Sequence, residues 1–398
     1  MDRRTFVLNG LAAATGAAAA TRFAPAQVSG PRYNVLIIGA GLSGLVAGYE
    51  LDKRGNDVKI IEARGRAGGR VQTVREFGEG LYGEAGAARI PRDHDLTHKY
   101  VKEFSLKLIP FYPVDGKFVR YWTRQTEVVD WDKFRDATSM VMGLNRPDVW
   151  TKIEGGNDLL PQAFAAQLGK KVFFDSPVRK IRHGPWGVEI SFSRNNRLET
   201  MTGDLLICAV PFKLLTRIEV SPAFGPEKAS AISSLEYDSA SRVLLETKRR
   251  FWEDRKLNGF GFGDEGAEVW NSSFGEPGVH GLMQTYLRGG YSLELTRLAE
   301  SERIERTLNK LSILFPDLRP NFVKGVSKCW SEDPWALGAW ARYDRGVQAI
   351  GKRPEGRVFF AGEHLSDHGS WMQGALESGL RVVDQVEAFA PKAAAVLL

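Results

Sequence analysis

Gly39, Gly41 and Gly44 stand at the spacing of a turn that holds a pyrophosphate. Gly39 suits the tight turn, Gly41 lets backbone approach the phosphates, and Gly44 lets a helix pack on a strand. The apolar run Asn34–Ile38 precedes the turn, and a helical stretch through Gly55 follows it. A second apolar strand, Asp57 to Ile61, leads into Glu62, whose carboxylate falls where an acid accepts ribose hydroxyls. The helix N-terminus then offers unpaired N–H groups and a positive dipole end to the phosphates. Strand, turn, helix and acid together predict a bound dinucleotide.

Two further segments extend that site. Ala63-Arg64-Gly65-Arg66-Ala67-Gly68-Gly69-Arg70 follows the ribose strand directly. Glycines and guanidinium groups in such a loop bring backbone close to phosphate and neutralise it, which marks Ala63, Arg64, Gly69 and Arg70 as cofactor contacts. Next comes Gly83-Glu84-Ala85-Gly86-Ala87-Ala88-Arg89, a run of small residues ending in a cation. Side chains as small as those of Ala87 and Ala88 admit a flat ring against backbone.

The elements that must position these residues come from both ends of the chain. Leu205 to Val210 reads as a fully apolar strand, and Arg357 to Ala361 as another that ends beside Glu363. Gly369 begins a helical stretch that continues to about Phe389. Val188 to Ser193 alternates as an antiparallel strand does. A helix opens after Gly155-Gly156, with Asn157 or Asp158 as its cap, and Ser301 to Phe315 is an amphipathic helix. Gly259-Phe-Gly-Phe-Gly263 imitates a glycine motif without strand-then-helix context and reads as a turn. The expected fold is mixed α/β, with a Rossmann-like domain from residues 32–88, 152–240 and 352–390. An inserted substrate domain on a mixed sheet with helices spans 89–151 and 241–351.

The 398 residues suit such a pair, and 43% hydrophobic with 26% charged residues is ordinary for a globular chain. A net charge of +6 without a basic, aromatic-interleaved stripe gives no nucleic-acid signature, and suits collection of an anionic substrate. Cys208 and Cys329 show no metal-ligand spacing, and no metal is expected. Arg3-Arg4 before an Ala-rich run reads as a twin-arginine leader over residues 1–31, which implies a periplasmic or secreted protein. The other reading is a cytoplasmic protein that keeps its leader. No run is long and apolar enough for a stable membrane anchor. Oligomeric state stays open, a homodimer included.

In this order and spacing the residues resemble the flavin amine oxidases, which comprise monoamine, polyamine and L-amino acid oxidases. The glycine turn with Glu62, Arg66-x-Gly68-Gly69-Arg70, Ala209-Val210-Pro211, and Phe360-Ala361-Gly362-Glu363 followed by Trp371-Met372-Gln373-Gly374-Ala375 carry the resemblance. It implies FAD, with Glu62 on the adenosine ribose, and Arg70 and Glu363 near the pyrophosphate and ribityl chain. Val178 resembles the residue that holds adenine through its backbone. Trp371, Met372 and Ala375 resemble residues at the flavin's pyrimidine end. Ala339 stands where monoamine oxidases carry a cysteine that attaches FAD, so the resemblance implies noncovalent cofactor.

The subgroup most resembled is the L-amino acid oxidases. There Arg89 takes the position of a carboxylate-binding arginine, and Tyr286 that of a tyrosine adding a further contact. A role for Arg89 toward FAD phosphate or an internal acid is the other reading. Trp371 and Trp340 resemble the two walls of an aromatic cage. Where relatives often have a lysine that holds water near the flavin, this chain has Arg242, which leaves oxygen activation unassigned. The implied reaction is oxidative deamination of an L-α-amino acid, apolar or aromatic, with oxygen as acceptor and a 2-oxo acid, ammonia and hydrogen peroxide as products. A monoamine or polyamine oxidase, or an amino acid dehydrogenase with another acceptor, is the alternative.

Overall fold

The apolar runs at both chain ends meet in one sheet. Its strands lie in the order Val358–Phe360, Leu205–Cys208, Asn34–Ile38, Asp57–Ile61, Val172–Phe173, and every pairing is parallel. The computed structural model describes residues 33–142, 150–263 and 268–394, so the leader reading lies outside the described residues. Both faces of the sheet are buried, as parallel sheets require. Val35 and Ile37 pack into one apolar cluster, with Leu45, Leu376 and Val383 of the covering helices. Leu36 and Ile38 pack into the other, with Ile181, Ile190 and Phe192. Those last residues belong to a second sheet, in which Val178–Gly184 and Gly187–Arg194 pair antiparallel.

The helices Leu42–Lys53 and Met372–Ala394 cover one face of the parallel sheet. Tyr100 and Val101, on the helix Asp95–Glu103, pack into the same cluster, although the sequence division assigns them to the inserted domain. Helix Leu159–Leu168 starts after Asp158, but neither predicted cap side chain caps it. Asp158 instead receives both terminal nitrogens of Arg75, and Asn157 Oδ1 accepts the Ile153 N–H.

The middle of the chain builds a seven-stranded sheet. Its order is Phe322–Cys329, Ala240–Thr247, Gly281–Arg288, Glu268–Asn271, Leu257–Gly263, Lys117–Trp122, Gln125–Val129. The helix Glu300–Leu314 covers one face, where Leu308 and Leu311 meet Val243, Leu245 and Met283. The Gly259–Gly263 stretch, read from sequence as a turn, is part of a strand. Phe260 and Phe262 are buried there, and a Cβ on Gly261 would stand 2.9 Å from the Val119 carbonyl. Its glycines therefore serve close strand packing, which a local pattern does not separate from a turn.

The other face of this sheet looks toward the small-residue run. A Cβ on Gly83 would stand 2.2 Å from Leu244 Cδ2, and one on Gly86 would stand 2.0 Å from the Arg70 carbonyl oxygen. Small residues are what let this segment lie between the two sheets.

Candidate functional site

Three backbone positions shape the phosphate turn. Gly39 has φ of +102°, which disfavours any side chain. A Cβ on Gly44 would stand 2.1 Å from the Gly39 carbonyl oxygen, so the helix sits hard against the turn. A Cβ on Gly41 would meet nothing within 4 Å. It would project instead toward the cavity that Gly41 lines. The helix that starts at Leu42 has no side-chain cap and no acid in its first turn, which suits it to a ligand anion. Glu62 Oε2 accepts the Ala40 N–H at 2.7 Å and Oε1 accepts the Arg64 N–H at 2.9 Å. Burial raises its carboxyl above the usual range, against the pull of those N–H groups.

One cavity of about 550 Å³ joins this turn to the seven-stranded sheet. It is lined by Gly39, Gly41, Glu62, Ala63, Arg64, Gly69, Arg70, Ala87, Ala88, Val178, Glu363, Trp371, Met372 and Ala375 at the predicted cofactor positions. Arg89, Arg242, Tyr286 and Trp340 line it too. Of the residues singled out from sequence, Gly44 alone stands behind the wall, packed on the turn.

The arginines of the basic loop divide their work. Arg66 donates to the carbonyls of Ala67, Gly69 and Val71 and so braces the loop itself. Arg64 pairs with Asp333, 2.5 Å from Nη2 to Oδ1. Arg70 Nη1 donates to Glu363 Oε1 at 2.8 Å and to the Ala339 carbonyl at 3.0 Å. This ties the loop to the C-terminal strand. Burial tends to raise the Glu363 carboxyl, yet Arg70 and two backbone N–H groups hold it below the ordinary value.

At its other end the cavity is floored by Arg242 and Tyr286, the middle of a row across the sheet. Lys328, Arg242, Tyr286 and Glu268 are successive cross-strand partners, so their side chains share one face. Arg288 follows Tyr286 by two residues and lines the same cavity. Arg89 reaches this row from the small-residue run. Its Nη1 donates to Glu268 Oε2 at 2.9 Å and to the Tyr112 hydroxyl at 3.2 Å. Trp270 Nε1 also donates to Glu268 Oε2, at 3.0 Å. Arg288 Nη2 lies 3.7 Å from the acid's other oxygen. Arg89 therefore has an internal acid as partner, one of the three roles open for it in the sequence.

Among the described residues Arg242 has no such partner. Its guanidinium stacks 3.5 Å from the centre of the Tyr286 ring and 4.2 Å from that of Trp270. Nη2 reaches only the Gly86 carbonyl, at 3.4 Å, and Nη1 is buried without a hydrogen-bond partner among the described residues. The two arginines titrate in opposite directions. Burial works against the charge of Arg89, but Glu268 together with Tyr112 and Tyr286 more than offsets it and the pKa rises. For Arg242 burial prevails, with Arg89 and Arg288 adding repulsion against the pull of Tyr286 and Glu268, and its pKa is pushed down to about 9.

Glu268 and Arg288 escaped the sequence reading, and His364 stands out there only with His368, as a metal-ligand pair that no further pattern supports. Arg288 had a usable signal, since it shares a strand face with Tyr286. Glu268 had none, because its role depends on pairing across strands. His364 follows Glu363 and lines the cavity with both ring nitrogens lacking partners among the described residues. Burial pushes it down to about 3, so it sits neutral. Cys208 is buried in the parallel sheet, where burial pushes its thiol up to about 12, in keeping with an inert role. Among the described residues no group of His, Cys, Asp and Glu is placed to hold a metal. No described helix is long and apolar enough to cross a membrane.

The open space at Gly41, the uncapped helix and the orphaned His364 all fit an elongated cofactor with a pyrophosphate at its middle. A dinucleotide cleft continuing into a second chamber floored by arginine and walled by aromatics defines a cofactor-dependent oxidoreductase. The chain belongs to the flavin containing amine oxidoreductase family, whose model matches residues 42–141 and 129–387. It is 31% identical to YobN of Bacillus subtilis (strain 168), over 89% of this chain and 94% of that one. It is 27% identical to the flavin-dependent L-tryptophan oxidase RebO of Lentzea aerocolonigenes, over 89% of this chain and 98% of that one. Among solved structures, putrescine oxidase with putrescine bound superposes with a TM-score of 0.77 at 20% identity, covering 90% of this chain and 99% of that one. The cofactor is FAD. Ala339 lines the cavity and has no nucleophile for covalent attachment.

Proposed function

We propose that this protein oxidises L-α-amino acids at the cluster of Arg89, Arg242, Arg288 and Tyr286. The observation that carries the reading is charge. Three guanidinium groups meet at the cavity floor, and the one acid beside them among the described residues, Glu268, contacts Arg89 and Arg288 but not Arg242. An amine with an uncharged tail has no use for that excess, whereas a carboxylate neutralises it. Tyr286, whose ring lies against these arginines, is the residue to add a further contact through its hydroxyl.

Within the chamber the α-carboxylate docks on this floor, and Trp371 and Trp340 confine the amine and side chain. Aromatic walls suit an apolar or aromatic side chain, as the kinship with RebO also suggests. Holding the substrate in one orientation provides much of the acceleration. When bound, FAD supplies the two-electron oxidation. The substrate loses its Cα hydrogen and one amine proton to become an imine, which water hydrolyses to a 2-oxo acid and ammonia. Dioxygen accepts the two electrons and two protons and leaves as hydrogen peroxide. Arg70, Glu363 and the glycine turn hold the cofactor, and no residue is needed as base beyond loss of one ammonium proton to solvent. The twin-arginine leader points to export with the cofactor in place.

Anaerobic mixing with L-amino acids, D-amino acids and simple amines tests the reading. Flavin bleaching by the L-amino acids alone, followed by peroxide on readmission of air, is expected. Bleaching by amines and not by amino acids would replace it with an amine oxidase.

A further inference from the structure

We infer that Arg242, and not Arg89, makes the direct contact with the substrate's carboxylate, with Arg89 serving as a positioning residue through Glu268. The inference rests on the amino acid reading above and assigns the contact within it.

Both arginines line the cavity and both are buried. They differ in what already faces them. Arg89 Nη1 is shared between Glu268 and Tyr112, and its plane is enclosed by Trp150 at 4.7 Å and Trp270 at 4.9 Å. Its charge is matched within the protein. An anion arriving at Arg89 would also meet the Glu268 carboxylate, 2.9 Å from the same nitrogen. Among the described residues, Arg242 carries a buried N–H without a partner and a charge that no acid contacts. A buried polar group in that state is costly unless a ligand completes it, so an incoming carboxylate gains most there.

Geometry agrees. The Arg242 guanidinium carbon lies over the Tyr286 ring, 3.5 Å from its centre, which restrains where the guanidinium can sit. Arg242 also touches the Gly86 carbonyl, in the segment where Ala87 and Ala88 line the cofactor cavity. A carboxylate held at Arg242 is therefore held beside the small-residue segment that lines the cavity. Arg288, two residues from Tyr286, adds a second cation from the same strand face. On the far side of Arg242 the cross-strand neighbour Lys328 is paired with Asp333 and does not compete.

The test uses holoenzyme and an aromatic carboxylate without an amine, phenylacetate, titrated under nitrogen and read from the flavin spectrum. Replacing Arg242 by Leu is expected to weaken phenylacetate by about 100-fold, and Arg242→Lys to recover part of that loss. The paired change Arg89→Leu with Glu268→Leu removes both charges together and is expected to weaken it by less than about tenfold. Flavin content of each variant is measured first, so that loss of cofactor is not read as loss of ligand. KM for the best L-amino acid substrate should follow the same order. If the paired variant loses as much affinity as Arg242→Leu, or if Arg242→Leu binds as wild type does, the assignment is overturned. If the wild-type enzyme bleaches with no L-amino acid at all, the functional reading has failed instead.

Discussion

Arg89 and Glu268 form a buried ion pair, Nη1 to Oε2 at 2.9 Å, joining the small-residue run to the seven-stranded sheet. Tyr112 and Trp270 both donate to the same carboxylate oxygen. Burial alone would raise the Glu268 carboxyl, but Arg89, Arg288 and the indole N–H hold it below its ordinary value, so the pair is ionic.

Breaking that pair from one side leaves a charge buried without a partner. Glu268→Leu is expected to destabilise the protein by about 3–5 kcal/mol, whereas the double change with Arg89→Leu costs less than the single one. Urea unfolding of the flavin-free protein measures both. Equal losses in the single and double variants would show that the pair does not act as a unit.

The glycine turn separates binding from folding. Gly41 has φ of −73°, and a Cβ there meets no atom within 4 Å, so Gly41→Ala should fold with unchanged circular dichroism. It places a methyl group where the cofactor's phosphates approach, and flavin affinity should fall by at least about tenfold. Gly44→Ala pushes a methyl group into the Gly39 carbonyl and should lower both stability and flavin content. The readout is flavin absorbance per protein beside the melting temperature.

Glu84 makes stability pH-dependent. Burial pushes its carboxyl from 4.5 up to about 7, although Asn157 N–H and Thr73 hydroxyl bonds work the other way. The folded protein therefore binds a proton that the unfolded chain has released between these values. Stability from this group is present below pH 4.5 and is lost as pH rises through about 7, a change of about 3 kcal/mol. Glu84→Gln should flatten that decline. Urea midpoints of both proteins from pH 5 to pH 8 check it, and parallel curves would contradict it.

The cofactor half of the site was legible because its parts are local. Gly39, Gly41 and Gly44 sit within one turn, Glu62 ends the next strand, and Trp371 to Ala375 follow the strand ending at Phe360. The substrate half was legible only in part. Arg89, Tyr286 and Arg242 stood out by type or by resemblance, yet what distinguishes them is who faces whom across strands. Glu268 entered only when its strand paired with that of Tyr286, and strand pairing is fixed by the whole sheet. Phe260 and Phe262 illustrate the same limit. Their glycine neighbours read locally as a turn, while the sheet uses them to bring strands close.

The central claim is that the arginine floor selects a carboxylate. The most direct measurement compares L-phenylalanine with phenethylamine, which differs from it by loss of that carboxylate, in anaerobic single-turnover bleaching of the same holoenzyme. The account predicts that L-phenylalanine bleaches the flavin at least about 100-fold faster at equal concentration. Equal rates, or faster bleaching by phenethylamine, would contradict it.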